Sequence, residues 1–283
     1  MNALPKMVTV AIFACVALLA GCGEADSGAW QGYAEGEYVR VSSAVAGRLV
    51  ALQVARGDGV QAGAPLFTLE QEREHAAVTE STEGIEVIRA QSEQARAQLK
   101  LAESNYKRAL ELRAKGLIPE QQVDTARTEQ ARAQARQREL DAQQQTAQAQ
   151  HDQVRWQLTQ KAVTAPAAGL VDDTLFRVGE WVPAGAPVVS LLPPENRLVR
   201  FFVPEGQLGG VKTGQGVQVK CDGCPAPLAA TVSFVSPAAE FTPPVIYSRE
   251  ARQKLVFMVE ARPSAADAVN LHPGQPVEVT PQP

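Results

Sequence analysis

The chain has 283 residues, a formal net charge of −4, 45% hydrophobic content and only 5% aromatic content. That length allows about two compact units at roughly 100–200 residues each. The acidic balance argues against a nucleic-acid partner, because no basic field exists to release phosphate counterions. Three His and four Cys leave little material for a metal enzyme, so a role without catalysis, cofactor or metal starts ahead.

The first segment reads as a targeting signal. Lys6 precedes an apolar run from Val8 to Ala20, too short for a mature bilayer span and suited to the h-region of a secretory signal over residues 1–21. The run ends in Leu19-Ala20-Gly21-Cys22. These small residues before a cysteine resemble a lipobox, where a bacterial lipoprotein is cleaved and its new N-terminal cysteine acylated. The alternative is an ordinary signal with an incidental cysteine. Acyl chains on Cys22 would hold the protein at a membrane surface, each buried CH₂ contributing about 0.8 kcal/mol. Residues 22–43 then supply a small, polar tether and a first strand.

An internal duplication follows. Ala46-Gly47, Gly57, Val60, Ala62, Gly63, Ala64 and Pro65 recur in order, 122 positions on and without a gap. The second copy is Ala168-Gly169, Gly179, Val182, Ala184, Gly185, Ala186 and Pro187. Apolar neighbours match in kind: Leu49 with Val171, Leu66 with Val188, Leu69 with Leu191. Each copy, 44–70 and 162–194, reads as short strands punctuated by Gly and Pro turns. Neither is large enough to close a core alone, so the two are expected to pack as one small β-sandwich with pseudo-two-fold symmetry. The run Gly57-Asp58-Gly59-Val60-Gln61-Ala62-Gly63-Ala64-Pro65-Leu66 resembles the half-motif of biotinyl/lipoyl domains. Those carriers need a lysine at the tip joining the halves; here that tip is replaced by about ninety residues of different composition, which disfavours a carrier.

The interposed segment, 71–161, is mainly Ala, Gln, Glu and Arg, good helix formers, with one break at Gly116 and Pro119. Ile85, Ile88, Ser92, Ala95, Leu99, Ala102, Tyr106 and Ala109 follow alternating steps of three and four. Val123, Ala126, Gln130, Ala133, Gln137, Leu140, Gln144, Ala147, His151, Val154 and Leu158 do the same. A heptad seam on both arms predicts a long antiparallel helical hairpin, each arm projecting about 60 Å at 1.5 Å per residue. His151 lies on the seam without partners at ligand spacing, and reads as a packed seam residue.

Lipobox, split lipoyl-like halves, hairpin and a β-rich remainder together resemble the HlyD-type membrane fusion proteins, also called periplasmic adaptors. The resemblance implies an α+β chain: a split biotinyl/lipoyl-like β-sandwich interrupted by a long antiparallel α-helical hairpin, followed by a small β-barrel over 195–283. It also implies a homo-oligomeric ring between an inner-membrane transporter and a TolC-like outer-membrane channel. Hairpin tips of the family often carry an Arg, a Leu four residues on and a Ser seven further. Arg108 and Leu112 match the first two positions, while Pro119 replaces the Ser. Docking is therefore expected through Arg108 and Leu112, with altered contact at Pro119, a residue suited to the first turn of a helix.

In the last third, Leu198 to Val203, Val217 to Lys220, Ala230 to Val235 and Lys254 to Ala261 read as strands. Phe241 to Ser248 reads as an exposed loop. A smaller echo pairs Val211-Lys212-Thr213-Gly214-Gln215-Gly216-Val217 with Leu271-His272-Pro273-Gly274-Gln275-Pro276-Val277, 60 positions on. Little chain is left for the membrane-proximal domain that some relatives carry. That shortage and the compact size favour an ABC-type transporter as partner. Cys221-Asp222-Gly223-Cys224 invites chemistry as a redox centre, half a zinc site or a structural clip. Asp-Gly signals a two-residue hairpin turn, flanking cysteines can stand about 5–6 Å apart at Cα, and the periplasm is oxidising, so a structural disulfide is favoured. No catalytic set or phosphate loop is present. The expectation is an adaptor for export of small molecules or other substrates, held by a lipid anchor with the inner membrane favoured. The competing class is a structural coiled-coil envelope lipoprotein.

Overall fold

The computed structural model describes residues 28–224, 226–241 and 255–282. The signal 1–21, Cys22 and all of the Phe241–Ser248 loop except Phe241 lie outside them. Two compact units are present, Tyr38–Pro193 and the residues through Glu37 together with Pro194 onward.

The first strand, β1 (Trp30–Gly36), belongs to the second of these units. In the first, β2 (Val39–Ser42), β3 (Gly47–Leu52), β4 (Gly59–Val60) and β5 (Pro65–Leu69) precede helices α1 (Glu72–Ala114) and α2 (Glu120–Thr159). β6 (Ala162–Thr164), β7 (Gly169–Thr174), β8 (Trp181–Val182) and β9 (Pro187–Leu192) follow. The duplication carries into the strands: moved by the same 122 positions, β3 falls on β7, β4 on β8, and β5 on β9. The two sheets have the orders β2-β9-β7-β4 and β6-β5-β3-β8. Each mixes both halves, and exchanging the halves turns one order into the other.

Cross-bonds between the halves come in matched pairs. Gly57 N–H donates to Val171 O and Gly179 N–H to Leu49 O, each at 2.8 Å; Leu49 N–H donates to Glu180 O and Val171 N–H to Asp58 O, also at 2.8 Å. Gly57 and Gly179 sit at φ 93° and 97°, where an L side chain would be strained. Leu49, Leu66 and Leu69 from one half and Val171, Val182, Val188 and Leu191 from the other bury together, so neither half encloses a core by itself.

The hairpin departs from β5 and returns into β6. Every seam residue expected on either arm is buried or half-buried, while most positions between them are exposed. Its fully buried positions are nevertheless few: Ser92 and Ala95 on α1, Gln137 and Leu140 on α2. Gln137 Nε2 donates to Ser92 Oγ at 3.0 Å and to Asp141 Oδ1 at 2.8 Å, and Arg96 approaches Asp141 at 3.5 Å. A polar layer therefore crosses the rod near its middle.

In the second unit, β1, β10 (Arg197–Pro204), β11 (Gly216–Cys221), β12 (Leu228–Phe241), β13 (Leu255–Pro263) and β14 (Pro276–Pro281) close a barrel of order β1-β10-β13-β12-β11-β14. The 60-residue echo is deeper than the turn motif suggests. Helix α3 (Glu205–Leu208) and strand β11 recur as α4 (Ala265–Ala268) and β14, with Gly214 at φ 88° and Gly274 at 86°. Gly214 N–H donates to Val232 O and Val232 N–H to Gln215 O; in the other copy Gly274 N–H donates to Ala34 O and Ala34 N–H to Gln275 O. The stretch expected as tether and first strand thus delivers β1 to the barrel as the counterpart of β12. Trp30 stacks on Phe201 at 5.5 Å between ring centroids, and its Nε1 donates to Gln207 Oε1 at 2.6 Å. On the outer face Arg200 bridges Glu35 and Glu260, each at 2.8 Å. Burial works to lower its pKa, but hydrogen bonds to Glu260 and Tyr33 and the charge of Glu35 outweigh it and raise the value.

Candidate functional site at the hairpin tip

The tip is built by backbone rules. Gly116, at φ 72°, follows the last residues of α1 in the left-handed conformation that ends many helices. Its N–H donates to Arg113 O at 2.9 Å and that of Leu117 to Leu112 O at 3.0 Å, the paired bonds of a Schellman motif. Pro119 stands at the N-cap of α2 with ψ 157°, one residue before the first turn expected for it. Its carbonyl accepts from Gln122 N–H at 3.1 Å, and its missing N–H leaves no unsatisfied donor at a helix start. Arg113 lies in the last turn of α1 and Glu120 in the first turn of α2, each of the sign that a helix end favours.

Arg108 is exposed one helical turn before the half-buried Leu112, and Pro119 is exposed across the turn. The fold thus brings Arg108 and Leu112 to one end of the rod, with Pro119 opening the opposite arm. Sequence patterning missed two further groups there: Leu117 is 66% exposed and Leu110 44%. Both fall off the heptad seam, the signal that could have found them. An exposed cation and two uncovered leucines near one end of the rod are groups that can bind protein. On the seam His151 Nδ1 hydrogen-bonds with Ser81 Oγ at 3.0 Å, and among the described residues no three His, Cys, Asp or Glu side chains cluster as metal ligands. Cys221 and Cys224 are joined as a disulfide with Cα atoms 5.4 Å apart. Cys224 N–H donates to Cys221 O at 3.2 Å, so Asp222-Gly223 forms a β-turn. That turn sits inside a longer β11–β12 connection instead of being the whole of it. Among the described residues no helix is long and apolar enough to cross a membrane.

Residues 37–192, more than half of the chain, match the family model for the barrel-sandwich hybrid domain of RND membrane fusion proteins. The chain belongs to the membrane fusion protein family. A UPF0194 membrane protein of Citrobacter koseri is 27% identical to this membrane fusion protein, over 98% of this chain and 97% of its own. Another, named for the asrC 5′ region of Acidithiobacillus ferridurans, is 32% identical over 58% of this chain, and the match spans 55% of that relative. The crystal structure of MacA from Actinobacillus actinomycetemcomitans has the same fold, with a TM-score of 0.73 at 19% identity over 89% of this chain and 76% of that one. The membrane fusion protein Spr0693 from Streptococcus pneumoniae R6 aligns with a TM-score of 0.55 at 17% identity, covering 90% and 98%. This membrane fusion protein is accordingly a periplasmic, membrane-associated adaptor of efflux-type systems.

Proposed function

We propose that this adaptor links an inner-membrane transporter, ABC-type by preference, to a TolC-like outer-membrane channel for export of small molecules or other substrates. It works by assembly, not turnover. Acylation at Cys22 fixes its base at the inner membrane, copies associate as a ring, and the hairpin tips dock on the channel through Arg108 and Leu112, with Pro119 altering the contact. The observation that carries the reading is a rod of about 60 Å that rises from a closed sandwich and ends in exposed Arg108 and Leu117.

A photo-crosslinking amino acid placed at Leu117 and, separately, at exposed Glu103 in mid-rod tests this in living cells. Leu117 is expected to yield an adduct with an outer-membrane channel protein and Glu103 none. Arg108→Glu is expected to reduce tolerance to exported compounds at least about tenfold relative to wild type. Equal adducts at both positions, or full tolerance in Arg108→Glu, would refute the docking reading. A cell-shape defect on deletion with export unchanged would support the structural lipoprotein instead.

A further inference from the structure

The two ends of the sandwich differ in a way the duplicated fold does not require. Each half places a glycine where a neighbour comes close. A Cβ on Gly169 would stand 3.0 Å from the backbone of Leu192 and Pro193; one on Gly47 would stand 2.9 Å from Lys161 Nζ and 3.2 Å from Leu69 Cβ. Lys161 is only 5% exposed and Ser43 1%. Moved by 122 positions, their counterparts are Val39 and Ala165, the latter 3% exposed. The other end of the sandwich therefore builds these places from apolar side chains, one from each half, and packing alone asks for neither an ammonium nor a hydroxyl.

Both polar replacements occur where the hairpin attaches, and each holds one of its helices. Lys161 Nζ lies 3.0 Å from Glu74 Oε1 in the first turn of α1 and donates to Ala46 O at 3.1 Å. Ser43 Oγ shares its one proton between Gln160 O, at the end of α2, at 2.9 Å and Val45 O at 2.8 Å, and accepts from Val45 N–H at 3.1 Å. A buried ion pair returns little net stability against an apolar substitute, but breaking it by removing one partner is costly.

We propose that Lys161 and Ser43 are positioning residues that fix the direction in which the hairpin leaves the sandwich. The leverage is large: a swing of about 10° at the base moves a tip about 60 Å away by about 10 Å. The geometry stands by itself; its usefulness rests on the adaptor reading, in which the tip must meet a partner at a set place.

The test is a pulsed electron–electron distance measurement on the full chain in lipid nanodiscs, with the native disulfide left oxidised. One spin label sits at Leu101→Cys on the hairpin and the other at Gly59→Cys or Val178→Cys on the two sandwich edges. The expected result is a narrow distribution in the parent. Ser43→Ala, which installs the residue its counterpart already carries, should widen it about twofold in at least one label pair. Glu74→Asp should preserve the narrow distribution. The double variant Lys161→Met/Glu74→Leu should melt close to the parent and stay broad, a separation that a purely structural role would not produce. Narrow distributions in both Ser43→Ala and the double variant, with intact circular dichroism, would overturn the inference. These distances do not depend on export, so failed crosslinking at Leu117 beside the expected broadening would remove the docking reading and leave the joint standing.

Discussion

In the sandwich Leu49, Leu66, Leu69, Val171, Val188 and Leu191 have no exposed surface. Along the far longer hairpin, the fully buried side chains are Ser92, Ala95, Gln137 and Leu140, two of them polar. The sandwich can exclude water because two sheets face each other; two helices side by side leave most seam positions open to solvent on their flanks. Stability is accordingly concentrated in the body, and the rod holds its form through a repeated but thin seam, pinned at intervals by pairs such as Ser81 with His151 and Ser92 with Gln137.

The sharpest way to break this contrast is to hollow each region in turn. Leu49→Ala should cost the sandwich about 2–5 kcal/mol, since neighbours locked by both sheets cannot collapse into the space; a denaturant titration giving under about 1 kcal/mol would contradict the contrast. Leu140→Ala should cost about 2 kcal/mol, the low end of the range, because exposed flanks let the rod relax. Hydrogen exchange should quicken in α1 and α2 around Ser92 and Leu140 while protection in β3 and β9 stays as before. Smallest of the three, Gln137→Leu should shift hairpin stability by about 1 kcal/mol or less and upward, because Gln137 Oε1 is buried without a hydrogen-bond partner. A clear loss of helix melting temperature in that variant would show that the polar layer contributes stability.

Much of this was legible in the sequence, for physical reasons that differ by region. The sandwich duplication is visible because the same turns demand glycine at the same offsets, as at Gly57 and Gly179. The seam is visible because its period survives substitution by Ala and Gln. What escaped depends on chain segments far apart. Trp30, Gly32 and Ala34 do not announce a barrel strand, since β1 gains its partners from β10 and β14, more than 150 residues later. Lys161 reads as an ordinary charged residue after a helix, and only its counterpart Val39 and the closeness of Gly47 mark it as buried. Asp222-Gly223 was legible as a turn, but the length of the surrounding connection was not, because strand pairing resumes only at Val219 with Leu228. At the tip, the Arg108 and Leu112 pattern was visible, whereas the exposure of Leu117 follows from the Schellman turn.

Strands β5 and β6 are direct neighbours, with Phe67 opposite Val163 and Thr68 opposite Ala162. Everything between them enters and leaves the sheet through adjacent doors, so the sandwich places no constraint on how much chain is threaded there. Excising one heptad from each arm would lower the spike by about 10 Å without disturbing a single sheet bond. The height of the spike is thus an adjustable gauge, free to change while its foundation stays the same.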